Sequence, residues 1–255
     1  MPLTLATVPC LSDNYAYLIH DPAAGRTAVI DVPEAAPVLA ALSEHGWSLD
    51  EIWITHHHHD HVGGVDTLRN ETGARVTGAR ADDHRLPRLD RAVAPGDSFD
   101  FAAAPVEVIE VSGHTVGHVA FHIPAAKMAF TGDSLMGLGC GRLFEGDAAM
   151  MWDSLCRLRV LPGDTLICSG HEYSQSNARF ALTIEPDNAA LAARAAAIDA
   201  ARAAGEATVP VRLSLELETN PFLRADQPAL KDRLGLTGTP DAEVFGEIRR
   251  RKDSF

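Results

Sequence analysis

The amino-acid sequence predicts an α/β protein with a helical C-terminal domain, and three observations favour this fold class. Short apolar strand candidates alternate with helical patterns over residues 1–174. Alanine-rich helical patterns replace the strands after residue 175. The chain has 255 residues, 46% of them hydrophobic, which is sufficient for one sizeable core and a small second domain. We therefore expect an α/β domain over residues 1–174 and a helical domain over residues 175–255.

The first domain is predicted to contain sheets packed against helices. Ala35–His45 has a helical pattern and is closed by Gly46, a residue favoured after helix ends. Val62–Thr72 is also helical in pattern and stops at Gly73. Apolar runs between turn residues predict strands at Leu3–Val8, Tyr15–His20, Thr27–Asp31, Glu51–Thr55, Arg75–Thr77, Val106–Val111, Val119–Ile123, Met128–Thr131 and Thr165–Cys168.

The second domain is predicted to be helical, with almost no strand signal. Asn188–Ala204 is rich in alanine and ends before Gly205, and Asp187 or Asn188 is a suitable N-cap residue. Two further segments, Pro228–Leu234 and Ala242–Lys252, also have helical patterns.

The charge and cysteine content limit the classes of partner. Lys and Arg total 22 against 35 Asp and Glu, so the net charge is -13. This balance argues against nucleic acid and against an anionic membrane as partners, because both need a basic face. The four cysteines show no Cys-x-x-Cys spacing, and the chain has neither a signal-peptide pattern nor an apolar run of membrane-spanning length. We expect a cytoplasmic monomer.

Residues 55–61 read Thr-His-His-His-His-Asp-His and contain five of the twelve histidines. Imidazole is the commonest protein metal ligand, and one carboxylate among imidazoles is typical of borderline metals. A tag remnant is a poor explanation, because tags lie at chain ends. The pattern predicts metal ligands at His56, His58, Asp60 and His61, whereas the alternating His57 and His59 should point elsewhere.

Three other strand candidates end in a glycine beside a possible ligand, at His114, Asp133 and His171. Together with the histidine run they make seven donors, which is too many for one tetrahedral ion. Seven donors suit two ions about 3.5–4 Å apart that share a carboxylate. Donors without a thiolate favour zinc and are compatible with iron or manganese. We interpret His118 and His122 as supporting or strand residues.

These motifs resemble the metallo-β-lactamase superfamily. The matching segments are Thr-His-x-His-x-Asp-His at 55–61, His-Thr-x-Gly-His at 114–118, Thr-Gly-Asp at 131–133 and Gly-His-Glu-Tyr at 170–173. Over essentially its whole length the chain is similar to the glyoxalase II, or hydroxyacylglutathione hydrolase, family. Residues 140–146, residues 219–224 and the terminal Arg-Lys-Asp-x-Phe carry this narrower resemblance. The resemblance implies a four-layer αβ/βα sandwich followed by a helical domain.

The resemblance also implies the role of each site residue. The first metal would be held by His56, His58 and His114, and the second by Asp60, His61 and His171, with Asp133 bridging the two. Asp60 would also orient the hydroxide held between the metals. The substrate residues implied are Arg142, Phe144, Tyr173, Arg249 and Lys252. Phe144 stands where the family often has tyrosine, so a hydroxyl contact is lost there.

The implied reaction is hydrolysis of S-D-lactoylglutathione to D-lactate and glutathione, the second step of methylglyoxal degradation. A thiol with a pKa near 8.5 is a good leaving group, so no separate nucleophile is needed and Cys140 and Cys156 are interpreted as structural. Three alternatives stay open: a glutathione persulfide dioxygenase with a single iron, a lactonase or β-lactamase, and a metal-binding module without activity.

Overall fold

The computed structural model describes residues 3–255 and divides them into two compact units. The N-terminal unit comprises residues 3–110 and 117–132, and the C-terminal unit comprises residues 111–116 and 133–255. Met1 and Pro2, the start of the segment searched for a signal peptide, lie outside the described residues. Over residues 3–255, no helix is both long and apolar enough to cross a membrane. The domain boundary at residue 174 divides the chain differently from these units and stays a prediction.

The first sheet of the N-terminal unit is formed within residues 4–93. Its elements are β1 Thr4–Cys10, β2 Asn14–Asp21, β3 Arg26–Ile30, α1 Ala35–His45, β4 Glu51–Trp53, α2 His59–Val62, α3 Val65–Thr72, β5 Arg75–Ala79 and β6 Arg91–Val93. The strands pair in the order β1-β2-β3-β4-β5-β6. Pairing is antiparallel from β1 to β3 and parallel from β3 to β6. Parallel neighbours need crossover connections, which α1 and α3 supply on either side of β4.

Four further strands of this unit pair antiparallel in the order β10-β9-β8-β7. Their bounds are β7 Ser98–Phe101, β8 Ala104–Glu110, β9 Val119–Ile123 and β10 Met128–Gly132. Trp53 of β4 packs edge-on against Phe99 and Phe101 of β7, with ring centroids 5.2 and 5.5 Å apart. One part of the core therefore lies between the first sheet and these strands, and another part packs α1 and α3 against the first sheet.

The C-terminal unit is mostly helical. Its elements are β11 Leu135–Met136, β12 Gly139–Cys140, α4 Ala148–Arg159, β13 Leu166–Ser169, α5 Ser174–Ile184, α6 Ala189–Ala203, β14 Val211–Arg212, α7 Leu213–Thr219, α8 Pro228–Leu234 and α9 Asp241–Asp253. The three helices expected after residue 187 are confirmed as α6, α8 and α9. Asn188 caps α6 as predicted, because its Oδ1 accepts a hydrogen bond from Leu191 N at 3.1 Å.

Two sequence-based expectations needed correction. The predicted helix over Val62–Thr72 begins at Val65, and Gly63 and Gly64 separate it from α2. A Cβ on Gly64 would lie 2.5 Å from Ala35 N, so the chain packs too closely there for another residue. Beyond residue 175, where almost no strand was expected, the two-residue strand β14 is an exception and pairs antiparallel with β13. A two-residue strand has no periodicity to detect, because its partner decides its conformation.

Candidate metal centre

Asp31 and Thr55 fix the base of the histidine run in the N-terminal unit. Thr55 donates from its backbone N to Asp31 Oδ1 and from its Oγ1 to Asp31 Oδ2, both at 2.8 Å. His61 Nδ1 lies 2.8 Å from the same Oδ2. Because a carboxylate only accepts, His61 Nδ1 carries the proton, and Nε2 would be the nitrogen that binds an ion. Metal-binding histidines usually have this arrangement, with the second ring nitrogen donating to a carboxylate or carbonyl.

His56 and His58 bring two imidazole nitrogens together. His56 Nε2 lies 3.2 Å from His58 Nδ1. The other nitrogen of His56 is 3.0 Å from Thr55 Oγ1, and the ring of His118 stacks on His56 with centroids 4.5 Å apart. Ligand atoms of Asp31, His56 and His61 all lie within 4.8 Å of one another. The buried donors at the end of β4 therefore converge as a metal site requires.

Asn14 holds Asp60 and was missed by sequence reasoning. Its Nδ2 donates to Asp60 O at 3.0 Å and to Asp60 Oδ2 at 3.1 Å, and the side chain of Asn14 is buried. Asp60 Oδ2 also lies 3.8 Å from His61 Nε2. Asn14 lies 46 residues before Asp60 in the sequence. Their contact is seen only in the folded structure, where the start of β2 lies beside the histidine run. The one local signal is the Asp-Asn turn between β1 and β2.

The two histidines that alternate with the predicted ligands have other surroundings. His57 Nδ1 lies 3.4 Å from Asp82 Oδ2, and His59 is exposed at the start of α2. His122 Nδ1 lies 2.9 Å from Glu107 Oε2 on the neighbouring strand, as expected for a strand residue. Leaving all three out of the ligand set stays a prediction.

Asp133 lies between two histidines in the C-terminal unit. Its Oδ2 is 3.2 Å from His171 Nε2 and 3.5 Å from His114 Nε2, and all three side chains are buried. His114 Nδ1 lies 2.7 Å from Arg142 O, and since a carbonyl only accepts, His114 Nε2 is the nitrogen available to a ligand. A buried carboxylate between two imidazole nitrogens fits a shared divalent ion.

Gly141 allows the loop after β12 to lie against this cluster. A Cβ at this position would overlap Asp133 O and lie 2.9 Å from His114 Nδ1. Gly141 N donates to Ser134 O at 3.1 Å, and Phe144 N donates to His114 O at 3.3 Å. The loop that carries the predicted substrate residues Arg142 and Phe144 is therefore hydrogen-bonded to the predicted ligand His114 and packs against the backbone of Asp133.

Arg249 and Arg142 share one carboxylate. The buried guanidinium of Arg249 donates to Cys140 O at 3.0 Å and to Asp253 Oδ1 at 2.7 and 3.1 Å. Arg142 Nε lies 3.6 Å from the same Asp253 Oδ1, and its side chain is 60% exposed. Arg142 therefore presents its guanidinium toward solvent, whereas Arg249 lies beneath the loop.

Lys252 has a perturbed environment. Its Nζ lies 3.3 Å from Ser176 Oγ and 5.3 Å from the ring centroids of both Phe180 and Phe255. Burial lowers the pKa of Lys252 below its usual value, and the charge of Arg249 lowers it further, against a partial opposing effect of Asp253. The cation is therefore partly desolvated, which strengthens its interaction with an anionic ligand.

Two aromatic rings pack on the imidazoles of this unit. Tyr173 stacks on His171 with centroids 4.6 Å apart, and Phe144 meets His114 edge-on at 5.3 Å. Phe144 is 63% exposed, which is high for a residue of its size. All five predicted substrate residues thus lie in the C-terminal unit, two of them directly against predicted metal ligands.

The cysteines are poorly suited to act as nucleophiles. Burial raises the pKa of Cys140 to about 11, despite the opposing charge of Arg249. Burial also raises the pKa values of Cys156 and Cys168. A reactive cysteine needs a lowered pKa, so these thiols stay protonated near neutral pH.

Comparison with known proteins identifies the family. The model described as "Metallo-beta-lactamase superfamily" matches residues 12–171, and the model "Hydroxyacylglutathione hydrolase C-terminus" matches residues 172–255. A curated hydroxyacylglutathione hydrolase of Ruegeria pomeroyi is 64% identical over 255 residues, which are 100% of both chains.

Two solved structures show the same fold. ETHE1 from Myxococcus xanthus superposes with a TM-score of 0.67 and 25% identity, covering 98% of this chain and 90% of its own. TTHA1623 in a di-iron-bound form has a TM-score of 0.63 and 25% identity, covering 86% of this chain and 100% of its own. Together with the two family models, these matches confirm the predicted α/β fold with its helical C-terminal domain. The chain therefore belongs to the metallo-β-lactamase superfamily and, within it, to the hydroxyacylglutathione hydrolase family.

Proposed function

We propose that the protein hydrolyses S-D-lactoylglutathione to D-lactate and glutathione. One observation carries the proposal: Asp133 Oδ2 lies within 3.5 Å of both His114 Nε2 and His171 Nε2, directly beside loops bearing cationic and aromatic side chains. This donor set is suited to a divalent ion, and the neighbouring residues are suited to a peptide-like anion. The full-length relative from Ruegeria pomeroyi, named hydroxyacylglutathione hydrolase, favours this reaction over the persulfide dioxygenase alternative.

We propose that two divalent ions, zinc by preference, are held by the seven donors predicted from the sequence. The proposed ligands are His56, His58 and His114 for one ion and Asp60, His61 and His171 for the other, with Asp133 shared. The hydrogen bonds of His61 Nδ1 to Asp31 and of His114 Nδ1 to Arg142 O support this, because both leave Nε2 for an ion. Bound ions would lower the pKa of a water molecule to about 7 and polarise the thioester carbonyl.

The chain itself would orient the reactants. Asp60, fixed through its backbone and carboxylate by Asn14, would accept a hydrogen bond from the attacking water. The water would lose a proton to solvent as its oxygen bonds to the carbonyl carbon; the C–S bond would then break, and the sulfur would leave as a thiolate that regains a proton from solvent. Since a thiol with a pKa near 8.5 is a good leaving group as its thiolate, no strong general acid is required. The Cys140 thiol is not a rival nucleophile, because burial raises its pKa and keeps it protonated near neutral pH.

Glutathione carries two carboxylates and one ammonium group, so its recognition requires a local positive region in a chain with a net charge of -13. Arg142, Arg249 and Lys252 supply such a region in the C-terminal unit. Charge-assisted hydrogen bonds to carboxylates are roughly twice as strong as neutral ones. We therefore propose that residues 175–255 form a substrate-binding domain that acts together with the loop of Arg142 and Phe144.

A paired assay tests the proposal. The purified protein is given S-D-lactoylglutathione in one reaction and glutathione persulfide in another, while thioester loss and oxygen consumption are followed. We expect thioester hydrolysis without oxygen consumption. Oxygen consumption with the persulfide and no thioester loss would establish the dioxygenase alternative instead.

We also propose that the enzyme works as a monomer in the cytoplasm. The four cysteines form no disulfide, which supports a reducing compartment. Light scattering at micromolar concentration would give the mass of one chain, 27.3 kDa. A mass of twice that value would contradict the monomer.

A further inference from the structure

The β11–β12 hairpin separates Asp133 from Arg142 along the chain. Residues 136–140, which are the turn and the strand residues that flank it, have backbone groups that the short strands leave for other partners. Buried side chains of the same unit form hydrogen bonds with these backbone groups. We call Asn177, Glu216 and Asn220 the hairpin cradle, because each bonds to the backbone of this turn. The segment 219–224, which carries part of the family resemblance, supplies one of the three.

Asn220 is the central member of the cradle and is fully buried. Its Nδ2 donates to Gly139 O at 3.0 Å and to Glu216 Oε2 at 2.9 Å. Its Oδ1 accepts from Phe222 N at 3.0 Å, which fixes the orientation of the amide. Asn220 therefore connects the turn after α7 to the backbone of the hairpin.

Glu216 accepts the backbone N–H at the tip of the hairpin. Leu138 N donates to Glu216 Oε2 at 3.0 Å, and Leu138 has a left-handed backbone with φ of 56°. Non-glycine residues rarely adopt that conformation without support from their surroundings. The fully buried carboxylate of Glu216 is compensated by an ion pair with Arg194, whose other nitrogen Nη1 donates to Thr219 Oγ1 at 2.7 Å. A buried carboxylate on α7 thus holds the strained residue of the turn.

Asn177 completes the cradle from α5. Its Nδ2 donates to Gly137 O at 3.0 Å. A Cβ on Gly139 would lie 2.5 Å from the same Nδ2, so the hairpin and α5 are in close contact. Three side chains from separate positions in the helical region therefore fix consecutive backbone groups of one short turn.

The residues at the base of the hairpin connect it to the predicted metal ligands through backbone hydrogen bonds. Gly141 N donates to Ser134 O, directly after Asp133, and His114 Nδ1 bonds to Arg142 O at 2.7 Å. A shift of the hairpin along its axis would therefore displace Asp133 and His114 together. Since their ligand atoms are only 3.5 Å apart, small displacements would change the geometry offered to an ion.

We propose that the hairpin cradle is a positioning device, in which Asn220 and Glu216 set the position of Asp133 and His114 for metal binding. Its members act through the hairpin backbone and touch neither substrate nor ion. This inference rests on the proposed function, because it assigns the cradle a role in that same centre. The helical region then contributes to catalysis as well as to substrate binding.

The test compares Asn220→Ala with Asn188→Ala in the full-length, metal-loaded protein. The two asparagines are matched: each accepts from a backbone N–H and donates to a backbone carbonyl in the same unit, but Asn188 bonds to Leu191 N and Glu218 O, away from the hairpin. Three quantities are measured below the unfolding transition of both variants. They are the rate at which a chelator removes metal, kcat with KM, and Tm.

We expect Asn220→Ala to release metal roughly tenfold faster and to lose about tenfold in kcat, with KM changed less than threefold. Asn188→Ala should lower Tm with metal release and kcat close to wild type. Glu216→Gln retains an acceptor for Leu138 N and should fall between wild type and Asn220→Ala. If Asn220→Ala does not fold, Asn177→Ala, which removes one hydrogen bond from the turn, should still accelerate metal release.

Equal metal release and kcat in Asn220→Ala and Asn188→Ala at comparable Tm would overturn the inference, because the cradle would then only stabilise the fold. The same holds for Asn177→Ala if it releases metal at the wild-type rate while Asn220→Ala is unfolded. A wild-type protein that retains metal but leaves the thioester intact contradicts the proposed substrate alone, and metal release still tests the cradle. A wild-type protein that binds no metal contradicts both proposals.

Discussion

At the scale of single residues, the surroundings of a ligand determine its role as much as the ligand itself. Asp31 accepts three hydrogen bonds, from Thr55 N, Thr55 Oγ1 and His61 Nδ1, with its own backbone in the left-handed region at φ of 56°. Non-glycine residues held in this region are often found at functional sites. The carboxylate would thereby decide which nitrogen of His61 binds a metal ion.

The first prediction concerns Asp31→Asn. The amide loses the negative charge that holds the proton on His61 Nδ1, so metal affinity should fall about 10–100-fold. Isothermal titration of the metal-free protein with zinc measures this change. Asp90→Asn is a matched control, because Asp90 also accepts a backbone N–H, from Val76, and a side-chain donor, Arg69. An equal loss of affinity in both variants would show a general effect on folding.

The second prediction concerns Cys140→Ala, which should keep kcat within about threefold of wild type because the thiol is not a nucleophile. Its effect should appear in the pH dependence of stability. Burial raises the pKa of Cys140 from an ordinary 9.0 to about 11, so between these values the unfolded chain binds fewer protons than the folded one. The free energy of unfolding therefore falls as the pH rises from 9.0 to about 11.

Denaturant unfolding at pH 8 and pH 10.5 measures that slope. Cys140→Ala should lose less stability than wild type over the interval, and the two should run parallel below pH 8. A steeper loss in the variant would contradict the buried, protonated thiol.

Residue-scale chemistry could be predicted only in part from the sequence. His56, His58, Asp60 and His61 stand out because ligands are dense over seven positions. Asn14 and Asp31 do not, since each is an ordinary strand-end or turn residue until the sheet brings it to the loop, 46 and 30 residues away. Supporting residues are therefore harder to predict than ligands, because long-range pairing creates their contacts.

At the scale of elements, α9 shows how one basic run is divided by helix geometry. Arg249 faces inward to Cys140 O, and Lys252 lies beside Ser176 one turn later. Arg250 and Arg251 instead pair with Glu247 on the exposed side. The sequence singled out Arg249 and Lys252 by resemblance alone, and the helix places their neighbours on another face.

The third prediction separates these positions. Lys252→Ala should raise KM about tenfold or more with kcat nearly unchanged, because a binding cation is lost. Arg249→Ala should raise KM and also lower kcat, since it releases Cys140 O in the hairpin. Steady-state kinetics on the thioester measures both constants.

Arg250→Ala is the matched control for these variants, because it removes a cation from the same helix on its exposed face. It should leave kcat and KM within about twofold of wild type. An unchanged KM in the double variant Arg249→Ala with Lys252→Ala would contradict the substrate assignment.

Element prediction from the sequence succeeded for segments with a clear periodic pattern, and it failed for α4 and for the two-residue strands. α6 has alanine-rich periodicity with an Asn188 cap and was predicted within a few residues. α4 was missed, although Asp147 caps it by accepting from Met150 N at 2.9 Å. The strands β11, β12 and β14 have two residues each, so their existence depends on partners that the local sequence does not encode.

At the scale of the whole molecule, net charge and family agree with the proposed chemistry. A chain of net charge -13 has the three cations of the predicted substrate set in its C-terminal unit. The fold and family were predictable because the ligand motifs are dense and spaced along the entire chain. The division into compact units was not predictable from the sequence. Residues 111–116 belong to the C-terminal unit, although the next residues, 117–132, belong to the N-terminal unit.

The fourth prediction is that metal removal lowers the stability of the whole protein. Ligands that bind only the folded state stabilise it by about 2.7 kcal/mol at a hundredfold excess over Kd. For a chain of this size, that corresponds to a fall in Tm of roughly 5–10 °C after chelation. Differential scanning calorimetry before and after metal removal measures it, and zinc should restore the original value. An unchanged Tm would mean that the donors hold no ion in the folded protein.

The most direct test of the central claim is a reconstitution titration. The metal-free protein is titrated with zinc while S-D-lactoylglutathione hydrolysis and bound metal are measured on the same sample. We predict that hydrolysis rises with bound metal and reaches its plateau near two equivalents per chain. A plateau at one equivalent, or two bound equivalents without hydrolysis of the thioester, would contradict a two-metal hydroxyacylglutathione hydrolase.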